Sequence, residues 1–370
     1  MQVVLGPYLD QRGLSEGLIG TVVVAYGAAA LAARLGSGVL YRSRRAPWLV
    51  AGGCVTMAIG FAALPLTGNP LVIALLLALD GGGYGVATTA GLAAVLERQP
   101  HDANAGAVMG WYTGATGAGY ALAGFLGGPL ADAVGIRPAI LVIALLPATA
   151  GVLLLGVLRR SQAVTAATAA IDGPIWSVFR RVPAPVWLSF GVAFYLALVN
   201  GGVFTFFPIH GLAIGLTLTQ VGALAGIHGA TATGIRFLSG PLFRVVDYRR
   251  SLPVMVVVNA TAVAVLSLTG AWVLLAVAWG TIGLTRGVLR VASGALVMDA
   301  AGESDRARGA ASTVYLAGLD VGKILGPPIA GVTAELVGLR TMFLVVGVAF
   351  ASIYAVSAAL VRARERSVAP

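Results

Sequence analysis

The sequence predicts an all-helical integral membrane protein built as two six-helix bundles related by a pseudo-twofold axis. Three observations predict it. Of 370 residues, 58% are hydrophobic and only 10% are charged, with a mean hydropathy of +0.92. A soluble domain carries about 25% charged residues, so a water-facing surface cannot be built from this chain. Apolar runs long enough for a helix to cross a ~30 Å hydrocarbon core recur along its length. Finally, the second half of the sequence repeats the first at an offset of about 202 residues.

The runs fall at 18–40, 47–66, 70–96, 106–130, 138–158, 186–207, 220–243, 252–268, 271–297, 309–335 and 340–361. Pro47, Pro70, Pro138 and Pro185 stand near run starts, where a missing N–H costs a helix nothing. Met1–Leu9 is a shorter run. The expected count is therefore eleven full spans plus a partial first helix.

The basic residues sort by side. Sixteen arginines lie in alternate breaks and the tail, among them Arg42, Arg44, Arg45, Arg159, Arg160, Arg249, Arg250, Arg306 and Arg308. The other breaks hold three: Arg12, Arg137 and Arg340. The positive-inside rule places the first set, and with it the C-terminus, in the cytoplasm of a multi-pass inner-membrane protein. The net charge of +10 is thus a topological signal, and no nucleic-acid partner is expected. Cys54, the single cysteine, has no disulfide partner in the chain. The longest break, 159–185, reads as a cytoplasmic linker, with Trp176, Phe179, Arg180 and Arg181 suited to an interfacial segment. The expected division is an N-terminal bundle over 1–158, this linker, and a C-terminal bundle over 186–370.

The repeat is parallel, because each half has an even number of spans. An offset of 202 pairs Gly13 with Gly215, Gly20 with Gly222, Arg34 with Arg236 and Arg42 with Arg244. It also pairs Gly81 with Gly283 and Gly85 with Gly287. An offset of 203 pairs Tyr112 with Tyr315, Gly119 with Gly322, Gly135 with Gly338 and Arg137 with Arg340. Alanine and glycine inflate such matches, but arginine and tyrosine pairs do not. Counting back from the start of the seventh helix places the start of the first near −17, so the sequence implies an upstream start or a truncated first helix.

Ionisable residues inside spans are the candidates for function, since each costs a few kcal/mol to insert. Asp80 lies ten residues from Pro70, about 15 Å into its helix. Asp320 lies at similar depth, with Lys323 one turn on. The two read either as a self-neutralising pair or as a switching pair. Arg286 is deep enough to face a cavity, where it would meet Asp80 or an anionic substrate. Arg290, one turn nearer the cytoplasm, reads as a snorkelling side chain. Tyr84, Asn200 and His228 are lone polar candidates, and a lone histidine is more often a packing residue. Asp80-Gly81-Gly82-Gly83-Tyr84-Gly85 lacks the lysine and preceding strand of a phosphate loop, so its glycines are assigned to helix packing. No catalytic set, metal cluster or cofactor motif is visible, and no enzyme activity is expected.

At this point the chain resembles the major facilitator superfamily over nearly its whole length. The resemblance rests on the loop after each half's second helix, where the family has G-x-L-x-D-R-x-G-R-R. Here it reads Gly38-Val39-Leu40-Tyr41-Arg42-Ser43-Arg44-Arg45, and later Gly240-Pro241-Leu242-Phe243-Arg244. The eleventh helix, with Asp320-Val321-Gly322 and Leu325-Gly326-Pro327, follows the family pattern too. The loop aspartate is missing from both halves. The exporters' G-P-x-x-G-G reads Ala123-Gly124-Phe125-Leu126-Gly127-Gly128, without its proline.

The resemblance implies a monomeric secondary transporter without cofactors, whose first, fourth, seventh and tenth helices line a central cavity. That makes Asp80, Asn200 and Arg286 first candidates for contact with a small organic solute. Proton-coupled efflux by an antiporter is the leading expectation, with Asp80 or Asp320 as proton carrier. Uptake on the same fold is the alternative, and a receptor-like or degenerate membrane protein is a third reading.

Overall fold

The computed structural model describes residues 3–97, 105–160, 183–245, 247–300 and 305–368. Among these, the chain forms twelve α-helices, one 3-10 turn and no strand. They are α1 (Leu5–Asp10), α2 (Glu16–Leu40), α3 (Ala46–Ala63), α4 (Pro70–Glu97), α5 (Ala105–Val134) and α6 (Ile136–Arg160). The second set is α7 (Ala184–Ala213), α8 (Leu218–Val245), α9 (Tyr248–Val265), α10 (Trp272–Ala300), α11 (Asp305–Val337) and α12 (Leu339–Val368). The expected linker segment with Trp176, Phe179, Arg180 and Arg181 lies outside the described residues.

Six helices are individually long and apolar enough to cross a bilayer, covering 16–37, 46–66, 70–95, 136–160, 185–213 and 272–297. The eleven expected full spans are therefore not all recovered by length and apolarity. The reason is visible in α5, α8 and α11. These helices carry glycine and polar residues where α6 carries exposed leucine and valine, while in α9 and α12 the apolar stretches, 251–265 and 339–349, are shorter.

Successive helices run antiparallel, so the bundle has an arginine-rich end and an arginine-poor end. The poor end is made of tight turns. Gly13, Gly135, Gly215 and Gly338 all have φ between +77° and +89° there. That left-handed conformation ends a helix cheaply only without a Cβ. These are two of the repeat pairs read from the sequence, so the repeat preserves the turns that reverse the chain.

Within the first set, α4 packs on α2 and α3, and α3 packs on α6. The glycines after Asp80 serve this packing. A Cβ on Gly81 or Gly85 would strike the carbonyls of Tyr26 and Ala30 on α2, and one on Gly83 would strike α3 at Gly53. In the second set, a buried network ties three helices: Tyr195 donates to Asn259 Oδ1 (2.8 Å), and Asn259 Nδ2 donates to Thr285 (2.7 Å). α1 is anchored by Tyr8, whose hydroxyl donates to the Leu64 carbonyl at 2.7 Å, while Arg12 donates to Tyr8 and to the Pro65 carbonyl.

The two sets meet along two seams, α2 against α11 and α5 against α8. Both seams are lined with glycine. Gly20 lies on Pro327, Gly331 on Glu16, Gly128 on Leu218, and Gly124 on Gly226, each too close for a Cβ. A carboxylate closes each seam at the arginine-poor end. Asp132 accepts from the backbone N–H of Leu218 (3.2 Å) and Thr219 (2.7 Å) at the start of α8. Glu335 accepts from the N–H of Gly17 (3.0 Å) at the start of α2. Both satisfy orphan helix donors and sit on the positive end of a helix dipole.

The loop that carries the degraded motif on the first half is held by a side-chain hydrogen bond. Where the family aspartate is missing, Tyr41 donates to Glu97 Oε2 at 2.8 Å, tying the α2–α3 loop to the end of α4. Arg42, Arg44 and Arg45 are not buried, and Arg159 stacks over the Trp48 ring at 4.2 Å. The side chains of Gly38, Gly240 and Arg244 lie outside the described set.

Candidate functional site

The candidate site is a polar layer where the two helix sets face each other. Tyr84 on α4, Tyr120 on α5, Arg286 on α10 and Lys323 on α11 each stand 14 residues from the arginine-poor end of their helix. At 1.5 Å per residue this is about 21 Å in. Arg34 on α2, Arg236 on α8 and Arg290 on α10 lie one turn deeper.

The repeat relates these residues to one another. The offset that pairs Gly81 with Gly283 also pairs Tyr84 with Arg286, and the offset that pairs Gly119 with Gly322 pairs Tyr120 with Lys323. One half thus presents two phenols where the other presents two cations. The phenols meet, with the Tyr84 and Tyr120 hydroxyl oxygens 3.3 Å apart. The Tyr26 ring lies 6.0 Å from the Tyr84 ring.

Arg34 joins the halves. It donates to Asp320 Oδ1 at 2.9 Å, and its guanidinium carbon lies 5.6 Å from the centre of the Tyr84 ring. Asp320 is therefore paired across the seam, not with Lys323 on its own helix, which corrects the self-neutralising reading. The reason is geometric: Arg34 reaches Asp320 from the facing helix, so the carboxylate does not turn back along α11. Arg34 was also missed as a site residue. Its pairing with Arg236 in the repeat was the available signal.

Lys323 is solvent-accessible, yet the charges of Arg34, Asp320, Arg286 and Arg290 all act on it. Arg286 feels Arg290 and Arg236, with the Tyr120 phenol nearby. Arg290, one helical turn from Arg286, is half-buried, and its charge acts on Arg286 and Lys323. Among the described residues no carboxylate lies within ion-pair distance of Arg286, Arg290 or Lys323. Asp80 does not meet Arg286.

Asp80 stands one turn nearer the arginine-poor end than Tyr84. It is buried, with 3% of its surface exposed, and its Oδ1 has no hydrogen-bond partner. It sits close to Gly60 of α3, and its charge acts on Tyr26. His228 is packed edge-on against Phe204 (4.9 Å) and Trp279 (5.8 Å), which fits a packing residue, although its Nε2 is unpartnered. Asn200 donates to the Leu196 carbonyl of its own helix at 2.6 Å, and its Oδ1 is buried and unpartnered. No group of histidine, cysteine, aspartate or glutamate among the described residues has the arrangement of a metal site.

Comparison with solved structures gives the same architecture. A bacterial homologue of the human lysosomal transporter Spinster, in an inward-facing and unoccupied conformation, superposes with a TM-score of 0.75 at 16% identity, covering 97% of this chain and 91% of that one. The nucleoside transporter NupG superposes with a TM-score of 0.75 at 16% identity, covering 98% and 94%. At such identities the likeness concerns the fold. No curated protein matches the sequence. The family model of the Major Facilitator Superfamily matches residues 1–303, and with twelve helices, two glycine-lined seams and a repeat spanning both halves, the chain belongs to that superfamily.

Proposed function

We propose that this protein is a secondary active transporter that moves a small organic solute across the cytoplasmic membrane by alternating access. In this reading residues 1–158 and 186–370 move as two bodies about the α2–α11 and α5–α8 seams, linked by 159–185. The arginine-rich end faces the cytoplasm. The observation that carries the reading is the polar layer between the halves. Charged and phenolic side chains inserted at membrane depth mark a substrate path.

Proton-coupled export is the direction we assign. Asp80 is the carrier the geometry favours, because it can take up a proton without first breaking a salt bridge, whereas Asp320 must release Arg34. In proteoliposomes with an imposed pH gradient, solute flux should depend on the gradient in the parent protein and lose that dependence in Asp80→Asn. Gradient-driven flux unchanged in the Asp80→Asn/Asp320→Asn double variant would exclude the coupling. Comparing right-side-out with inverted vesicles separates export from uptake.

A further inference from the structure

The polar layer is charge-asymmetric, and the asymmetry identifies what it takes. Arg286, Arg290 and Lys323 bring three positive charges to one wall, with no carboxylate in ion-pair reach among the described residues. Arg34, neutralised by Asp320, and Arg236 of α8 are the other cations of the layer. Like charges at membrane depth repel in a medium that screens poorly. At the equivalent positions of the first half stand Tyr84 and Tyr120, whose hydroxyls meet and whose rings offer flat apolar faces.

We infer that the site binds a small organic anion, a carboxylate or phosphate on an aromatic or apolar body, with its charge on Arg286, Arg290 and Lys323 and its body against Tyr84 and Tyr120. Guanidinium groups match the paired oxygens of both anionic groups, and charge-assisted hydrogen bonds are the strong ones in a site of this kind. The anion supplies the counter-charge that Arg286, Arg290 and Lys323 do not have within ion-pair distance among the described residues. A cationic solute would have to approach this wall against three like charges. The inference rests on the transport reading for its biological meaning, but the binding chemistry stands on the layer itself.

The test uses four compounds with one ring and different charge: benzoate, benzyl phosphate, benzylamine and benzyl alcohol. Binding to the purified full-length protein in detergent is measured by calorimetry at low and high salt. Both anions should bind at least about tenfold more tightly than benzylamine or benzyl alcohol, and salt should weaken them. Arg286→Gln and Lys323→Gln should each weaken the anions by about tenfold, while Lys323→Arg, which keeps the charge, retains most of the affinity. Equal or tighter binding of benzylamine or benzyl alcohol would overturn the inference, as would no anion binding. So would equal losses in the charge-keeping and charge-removing variants. Flux of the same compounds into proteoliposomes reports on transport separately. Movement of benzylamine alone, beyond that into protein-free vesicles, upholds transport and defeats the anion site. Benzyl phosphate that binds without any compound moving upholds the site and defeats transport.

Discussion

Asp132 and Glu335 occupy equivalent positions in the two halves, and each caps the first turn of a helix belonging to the other half. The capping bonds therefore cross both seams at the same end of the molecule. A repeat inherited by both halves has become a symmetric clasp at the arginine-poor end, while the polar layer lies deeper along the same seams. In the proposed alternating access, opening that end would break both caps.

Removing the caps should shift the protein toward opening. Asp132→Ala takes the acceptor from two backbone donors, a change that costs about 1 kcal/mol at an ordinary helix start. Double electron–electron resonance between labels on the α5–α6 and α7–α8 turns should show a longer distance in Asp132→Ala, and a further increase when Glu335→Ala is added. An unchanged distance distribution in the double variant would show that the glycine seams hold this end by themselves.

The cap has a defined pH range. Burial pushes the Asp132 carboxyl up, but hydrogen bonds from Thr219, Leu218 and Thr217 outweigh it and hold the group below its ordinary value. A depressed carboxyl stabilises the folded form above the unfolded value near 3.9, and that contribution is lost as pH falls through the lower folded value. The arginine-poor end should thus stay clasped between pH 5 and 8 and loosen only below about pH 4. Label distances followed from pH 8 to pH 3 check this. Loosening between pH 7 and 5 that Asp132→Asn abolishes would contradict it.

Arg34 and Asp320 should be coupled. Each single neutralisation, Arg34→Gln or Asp320→Asn, leaves a charge partly buried at the seam, so the double variant should cost less than the sum of the singles. A double-mutant cycle on thermal stability in detergent should give a coupling of about 1 kcal/mol, in the range for contacting residues. Strict additivity would mean the pair contributes nothing beyond its parts.

Gly124 should not tolerate a side chain. A Cβ there would strike the backbone of Gly226 on α8, which cannot rotate away. Gly124→Ala should destabilise the protein by about 1–3 kcal/mol, the cost of overpacking a close contact. Gly127→Ala, which meets nothing within 4 Å, serves as the control. Melting curves of the two variants should differ clearly, with Gly127→Ala near the parent.

Tyr8→Phe tests the anchoring of α1. The hydroxyl is buried and donates to the Leu64 carbonyl, so its loss should cost about 1 kcal/mol or somewhat more, because that acceptor is left dry. A melting temperature equal to the parent's would show that packing of Val4 and Leu9 holds α1 without the bond.

Much of the fold was legible in the chain, because its signals are one-dimensional. Apolar runs marked the helices, arginine spacing marked the two ends, and the repeat marked the halves and the four turn glycines. Span number by apolarity was less legible, since glycine and polar residues dilute the signal in α5, α8 and α11 and the apolar stretches of α9 and α12 are short. In the candidate site, Asp80, Tyr84, Arg286, Asp320 and Lys323 stood out as polar residues at membrane depth. The partner of Asp320 did not, because it lies 286 residues away.

The sequence by itself determined that this is a membrane-embedded helical repeat protein and which polar residues stand at which depth. Periodicity and hydropathy are properties of consecutive residues, and depth follows from counting along a helix. The tertiary structure adds that Asp320 faces Arg34, that Asp80 and Arg286 form no ion pair, and that the Tyr84 and Tyr120 hydroxyls meet. Those relations depend on how helices from distant parts of the chain rotate and approach, and the approach is governed by glycine contacts at the seams.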